Sequence, residues 1–410
     1  MSSKQDFGST NIDIIGGLAL LGATVVALVW ANSPWADSYA SLWSTHLTIG
    51  WGSWAITEDL AHWVNDALMA IFFFVVGIEI KQELVLGQLS RVKDAMLPVA
   101  AALGGVIVPA SIFFVINRGG AGQHGWGIPM ATDIAFAMGL VALAGRLVPP
   151  ALKVTLLALA VVDDIVAILV IALFYGSGVS IPWLAFAVVA LGAVHLMKRM
   201  GVTPIPYYVV VGTIVWYATY RSGVHATIAG VAIGLLTPVE TPEGHDAVIT
   251  REDFEIVDET SVAQRLENRL TPFTSFVVIP LFALANAGIA LNEKSLSAAA
   301  SSKVAIGIFV GLAVGKVTGI TGTVAILVKS GLAELPKGLT MAHIAAMGVA
   351  AGIGFTVSIF ITGLAFDHPA MVVEAKTAIL FASLVSALLG LAMFWLVDRR
   401  TASQPGRSKS

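Results

Sequence analysis

Two adjacent aspartates, Asp163 and Asp164, stand in the middle of "LALAVVDDIVAILVIALF", in which sixteen of eighteen residues are apolar. A charged side chain at the centre of a lipid-compatible helix costs about 2.5–3.5 kcal/mol on insertion scales, so something must offset it. Adjacent helical residues diverge by about 100°, so both carboxylates can border one cavity. Two negative charges about 4 Å apart repel by about 4 kcal/mol at an effective dielectric of 20. Such a pair does not stay doubly bare at neutral pH. It takes a proton, a hard cation that prefers oxygen ligands, or a nearby ammonium, and its titrations are coupled. One set of oxygens that holds either a proton or Na⁺ is what exchange of the two requires. The bland alternative is a structural pair satisfied by a lysine or by water.

Two further ionisable groups fall inside apolar segments. Asp133 lies in "GIPMATDIAFAMG", where Pro129 precedes the polar pair Thr132–Asp133. A helix broken there would aim its ends inward, and Asp133 would offset a half-helix dipole; a kinked but continuous helix is the other reading. Lys316 lies in "VGLAVGKVTGITG", about twelve residues or ~18 Å from either end of its segment, too far to snorkel. It needs an internal partner, and the carboxylates are the candidates. Lys376, beside Glu374 near the end of the last segment, is placed to snorkel and reads as structural.

The elements that must position these residues follow from the rest of the chain. Of 410 residues, 57% are hydrophobic and 12% charged, about half the charge of a soluble protein. Apolar blocks recur near 12–31, 60–80, 95–116, 126–144, 154–175, 181–197, 205–219, 223–237, 272–290, 304–328, 340–365 and 371–397. Each approaches the roughly 20 residues that cross a bilayer as a helix. The expected fold is therefore an all-α polytopic membrane protein of about twelve helices in a single transporter domain, 1–410. The division at "YRSGVH" is the least marked. The N-terminus lacks the basic start and cleavage site of a signal peptide, so the first segment is expected to be a retained helix. With no cysteine, the chain has no disulfide, thiolate metal site or thiol nucleophile.

With the N-terminus inside, seventeen Lys and Arg fall on inside segments and four (Arg118, Arg221, Lys294, Lys303) outside. This bias places both termini in the cytoplasm. The first outside loop, 45–58, carries "HLTIGWGSWAIT", a short β-hairpin or a plain loop. The polar stretch 238–271 reads as a solvated cytoplasmic linker and 399–410 as a cytoplasmic tail. A second Gly-interrupted segment, "GVAAGIGFTVSIFITG", carries Thr356 as the earlier one carries Thr132. Spans three to five and ten to twelve thus correspond as inverted repeats, a pattern that points to a transporter site at their interface.

The stretches "WANSPW", "NDALMAIFFFVVGIEIK", "ATDIAFAMG", "VVDDI", "SGVHATIAG", "PLFALANAG", "VGK" and "GIGFTVSIF" together resemble the NhaA-type sodium/proton antiporters over almost the whole chain. The resemblance implies crossed, interrupted spans four and eleven, and residence in the bacterial inner membrane. It implies electrogenic, pH-regulated exchange of cytoplasmic Na⁺ or Li⁺ for external H⁺ by alternating access, for sodium and pH homeostasis. Asp163 and Asp164 would be the ion and proton site and the Na⁺ ligands; Asp133, Thr132, Lys316 and Thr356 would support it. Lys316 would pair with that site or neutralise opposed helix ends. Glu79, Lys81, Glu83, His225 and Glu267 would form the pH response, although His225 can equally be a satisfied structural histidine. Gln82 departs from the arginine typical there, and Asn268 and Thr271 from histidines, which bears on the pH set-point. The 45–58 hairpin would mediate a homodimer within the lipid. No cofactor, enzyme activity or nucleic-acid partner is expected. An intramembrane aspartyl protease would need its two aspartates on separate helices with a Gly-x-Gly-Asp stretch, which this chain lacks. A channel would need an open polar path, and a sodium-coupled solute symporter is the nearest rival on a similar fold.

Overall fold

The computed structural model describes residues 3–176, 178–202, 204–239 and 261–402. A long helix α1 (Ser3–Ala31) is followed by the short α2 (Ala36–Trp43), which turns from it by 116°. Strands β1 (His46–Ile49) and β2 (Ile56–Asp59) pair antiparallel, with His46 opposite Asp59 and Ile49 opposite Ile56. The "GWGSW" turn between them uses Gly50 and Gly52 at φ 108° and 58°, a region a side chain strongly disfavours. The expected hairpin is therefore present, and its Trp51 is 84% exposed.

The remaining helices are α3 (Leu60–Val85), α4 (Val92–Ile116), a tight 3₁₀ segment (Ala121–Met130) leading into α5 (Ile134–Ala144), and α6 (Pro150–Phe174). Then come α7 (Ile181–Arg199), α8 (Ile205–Arg221), α9 (Thr227–Leu236), α10 (Val262–Asn286), α11 (Glu293–Ser301) and α12 (Lys303–Lys329). The chain closes with α13 (Met341–Ala350), α14 (Phe355–Ala365) and α15 (Pro369–Ala402). The break at "YRSGVH" falls between α8 and α9, where Gly223 has φ 79°.

Among the described residues, six helices are long and apolar enough to cross a membrane alone, and nine spans result if each of three bent pairs is one. A helix occupies every apolar block read from the sequence, but twelve crossings do not follow from length and composition. The ten residues of α9 reach only about 15 Å, half of a hydrocarbon core.

Part of the stretch expected as a linker is helical. Ser261 caps α10 by accepting from the Gln264 N–H at 3.2 Å, and Val262, Ala263 and Leu266 are buried. That apolar stripe within polar sequence starts the helix ten residues before the block at 272. Residues 240–260 of the expected linker and 403–410 of the expected tail lie outside the described residues.

The hairpin marks one end of the bundle. Tyr220 donates to Glu58 and Trp216 Nε1 to the Asp66 carbonyl, so the end of α8 and the start of α3 lie there. From that end α9 runs parallel to α3 at very close approach. A Cβ on Gly230 would lie 2.1 Å from the Ala70 carbonyl oxygen, and one on Gly234 would lie 2.5 Å from that of Phe74.

Candidate functional site

The apolar helix α6 starts with Pro150 at its first turn, where a missing N–H costs nothing. It begins four residues earlier than its apolar block, which puts Asp163 and Asp164 at the middle of its 25 residues. Both are buried, at 1% and 4% exposure. Lys316 is the middle residue of α12 and is fully buried. Its Nζ donates to both Asp163 oxygens, at 2.9 and 2.8 Å. Of the two roles expected for this lysine, the geometry shows the ion pair.

Local sequence brings the lysine there. Residues Gly311–Gly315 form one wide π-turn ending just before Lys316, a bulge that re-aims the next side chain. Helices α4 and α12 meet glycine on glycine: a Cβ on Gly104 would lie 2.5 Å from the Gly319 carbonyl oxygen. The Lys316 stem passes over Gly105, where a Cβ would be 3.7 Å from Cδ. A larger residue at either face would push the ammonium away from α6.

Asp164 differs from its neighbour. No hydrogen bond or ion pair from a described residue reaches its carboxylate. It lies within electrostatic reach of Asp163, Glu79, Asp133 and Lys316. A carboxylate buried without a partner is costly as a bare anion and calls for a proton or a cation. Among the described residues no three His, Asp or Glu side chains converge as a metal cluster.

The two interrupted apolar blocks, near 126–144 and 340–365, are both broken. The 3₁₀ segment and α5 bend by 41°, and α13 and α14 by 50°. The two breaks are tied together by side chains and backbone. The Asp133 N–H donates to the Ile353 carbonyl at 2.7 Å, and Thr132 Oγ1 to that of Ala351 at 2.9 Å. Asp133 Oδ1 accepts from the Phe136 N–H at 3.0 Å. Its Oδ2 accepts from the Thr356 N–H at 2.9 Å and from Thr356 Oγ1 at 2.6 Å. One carboxylate thus caps the positive ends of both α5 and α14, while Thr132 satisfies a carbonyl beyond the negative end of α13. Thr132, Asp133 and Thr356 meet where the two breaks face each other. Ser358 also joins them, donating to the Ile128 carbonyl at 2.8 Å. It lies inside the "GIGFTVSIF" stretch, where a lone serine in an apolar run carries no periodic signal that would single it out.

The residues grouped as a pH response divide between the two ends. Glu79, Lys81 and Glu83 lie at the end of α3 away from the hairpin, and Gln82 Nε2 donates to Glu267 Oε2 there. Glu83 accepts from the Gln88 N–H at 2.7 Å. His225 is at the hairpin end, its Nε2 2.6 Å from the Tyr175 carbonyl that ends α6. Since Gly234 sits level with Gly77, His225 is about 17–22 Å along the axis from the Glu79–Glu83 turn.

Toward the hairpin, Phe73, Ile168, Ile171, Ile228 and Val231 close over Asp164's helix and, with Thr227, leave no room for a water molecule. Lys376 departs from its expected surroundings. Glu374 is taken by Ser302 Oγ at 2.6 Å, and Lys376 Nζ turns inward to Asn286 Oδ1 at 3.4 Å.

The sequence matches the family described as Na⁺/H⁺ antiporter 1 over residues 9–394. Similar proteins include Na(+)/H(+) antiporter NhaA 2 of Sorangium cellulosum, 44% identical over 95% of this chain and 89% of its own length. Na(+)/H(+) antiporter NhaA of Janthinobacterium sp. is 42% identical, covering 95% and 92%. That of Rhodopirellula baltica is 44% identical, covering 95% and 94%.

Proposed function

Since this chain belongs to the Na⁺/H⁺ antiporter 1 family, we propose that it exchanges Na⁺, and Li⁺, for H⁺ at Asp163 and Asp164 by alternating access. The observation that carries this is the unequal pair: Asp163 bound by Lys316 on both oxygens, Asp164 buried with no partner. In the proton-loaded form Asp164 holds a proton and the Asp163–Lys316 pair is intact. A Na⁺ ligated by both carboxylates displaces that proton and draws Asp163 off the lysine. Electrogenic exchange needs a second proton released per Na⁺; Lys316, an ammonium in the intact pair, is the group that loses it once Asp163 turns to the ion.

The tied breaks support the moving part. Asp133, Thr132 and Thr356 hold two helix ends at the site with few bonds, so the site can tilt without exposing lipid to unsatisfied backbone. The proposed setting is the bacterial inner membrane, with twelve crossings, both termini and the 238–271 stretch cytoplasmic, and the hairpin outside joining two copies. On that orientation the apolar closure over Asp164 seals the outer side. Glu79, Lys81, Glu83 and Glu267 lie on the cytoplasmic side, where they set the pH response, with the neutral Gln82 in place of a cation. His225 acts from the other end through Tyr175.

The test is Asp164→Asn in everted vesicles. Sodium-driven proton movement should be lost, and movement at the unsubstituted level would overturn the assignment.

A further inference from the structure

A second lysine, the half-buried Lys376 of the last helix, has no carboxylate partner among the described residues. Among the described residues no carboxylate lies within 4.0 Å of Lys376, and its one hydrogen bond is the 3.4 Å contact to Asn286. Asn286 is 8% exposed, and its Nδ2 donates to Asn65 Oδ1 at 2.8 Å and to the Phe282 carbonyl at 3.1 Å. A lysine only donates, so the amide must turn its oxygen to Lys376 and its nitrogen to Asn65, which fixes the direction of the whole chain of contacts. The three residues belong to α15, α10 and α3. Helix α15 is part of the second repeat; α3 and α10 lie outside both repeats. Deeper, one turn along α10 and about two along α3, the same joint is apolar: Phe73 of α3 meets Phe360 of α14 at 5.4 Å, and Phe282 of α10 meets it at 6.4 Å. Phe73 also packs with Ile168 and Ile171 of α6, one and two turns beyond Asp164 toward the hairpin, in the closure over that helix.

We infer that Lys376–Asn286–Asn65 is the latch of the hairpin-end gate, and that Lys376 is a positioning residue for the exchange cycle. The inference rests on the alternating-access reading. For Asp164 to open toward the hairpin, the repeats must part from α3 and α10; the Lys376–Asn286 contact crosses that joint, and the Asn286–Asn65 bond braces its acceptor. The choice of partner explains the chemistry. A carboxylate facing the lysine would make a buried ion pair, costly to break. A neutral amide at 3.4 Å holds the gate weakly, and the freed ammonium regains water when it opens. The latch is therefore reversible within a transport cycle.

The chain has no cysteine, so a single Thr227→Cys in the closure reports opening toward the hairpin side. The full-length protein is reconstituted and labelled from that side with a membrane-impermeant maleimide. Adding Lys376→Ala should raise the labelling rate about tenfold, and adding Asn286→Asp should lower it by about as much, together with turnover. Lys376→Arg should restore the parent rate. Unchanged labelling in both Lys376→Ala and Asn286→Asp would overturn the latch. Should Lys376→Ala not fold, Asn286→Asp and Lys376→Arg decide alone. Failure of the underlying reading looks different: the Thr227→Cys parent would exchange ions while its labelling ignored Na⁺ and pH.

Discussion

Removing one partner of the Lys316–Asp163 pair leaves the other buried and uncompensated. Both side chains are at most 1% exposed, and the ammonium bonds both carboxylate oxygens. Breaking such a pair from one side costs about 3–5 kcal/mol, whereas replacing both members by apolar residues of similar volume is nearly neutral. Lys316→Met and Asp163→Leu should therefore each lower the melting temperature in detergent by on the order of 5–10 °C. The double substitution should recover to within about 3 °C of the parent, since its cost is about 1 kcal/mol or less. The coupling between the sites is read as the difference between the double and the summed singles. The double variant should fold and yet exchange nothing, because Asp163 is proposed to ligate the ion. A double variant that melts at or below the weaker single would refute the pairing as the source of stability.

Two other outcomes follow from the packing. Gly104→Ala drives a Cβ to 2.5 Å from backbone oxygen and should cost about 1–3 kcal/mol or more in melting, whereas Gly22→Ala, with nothing within 4 Å, should be neutral or gain about 0.5–1 kcal/mol. Thr356→Val removes the hydroxyl bond to Asp133 and should cost about 1.5–3 kcal/mol with loss of exchange rate, while Thr356→Ser should retain both; equal behaviour of the two variants in vesicle assays would count against the cross-cap.

The chemistry was legible in the sequence to the extent that burial made it conspicuous. Asp163, Asp164, Asp133 and Lys316 are ionisable residues in apolar blocks, and each proves buried. Which aspartate Lys316 takes was not legible. That choice depends on a π-turn at Gly311–Gly315 and on Gly104, Gly105 and Gly319, which let α12 approach α4. Hydrophobic pattern does not encode such a change of phase. The start of α10 was missed because the amphipathic "VAQRLENRL" is polar by composition though apolar along one stripe. His225 was grouped with Glu79 and Glu267 by resemblance, and the axial run of α9 along α3 separates them. The place of Lys376 near the end of its apolar block suggests snorkelling, whereas the fold gives its neighbour Glu374 to Ser302 and turns the lysine to Asn286.

The central claim is that a proton and Na⁺ compete for the Asp163–Asp164 pair. Calorimetric titration of the purified protein with Na⁺ over a series of pH values tests it most directly. One competing proton weakens the apparent affinity by a limiting factor of about ten per pH unit toward acid, and Asp164→Asn should abolish the binding heat. Na⁺ binding of equal strength across the series, or binding that survives in Asp164→Asn, would contradict the account.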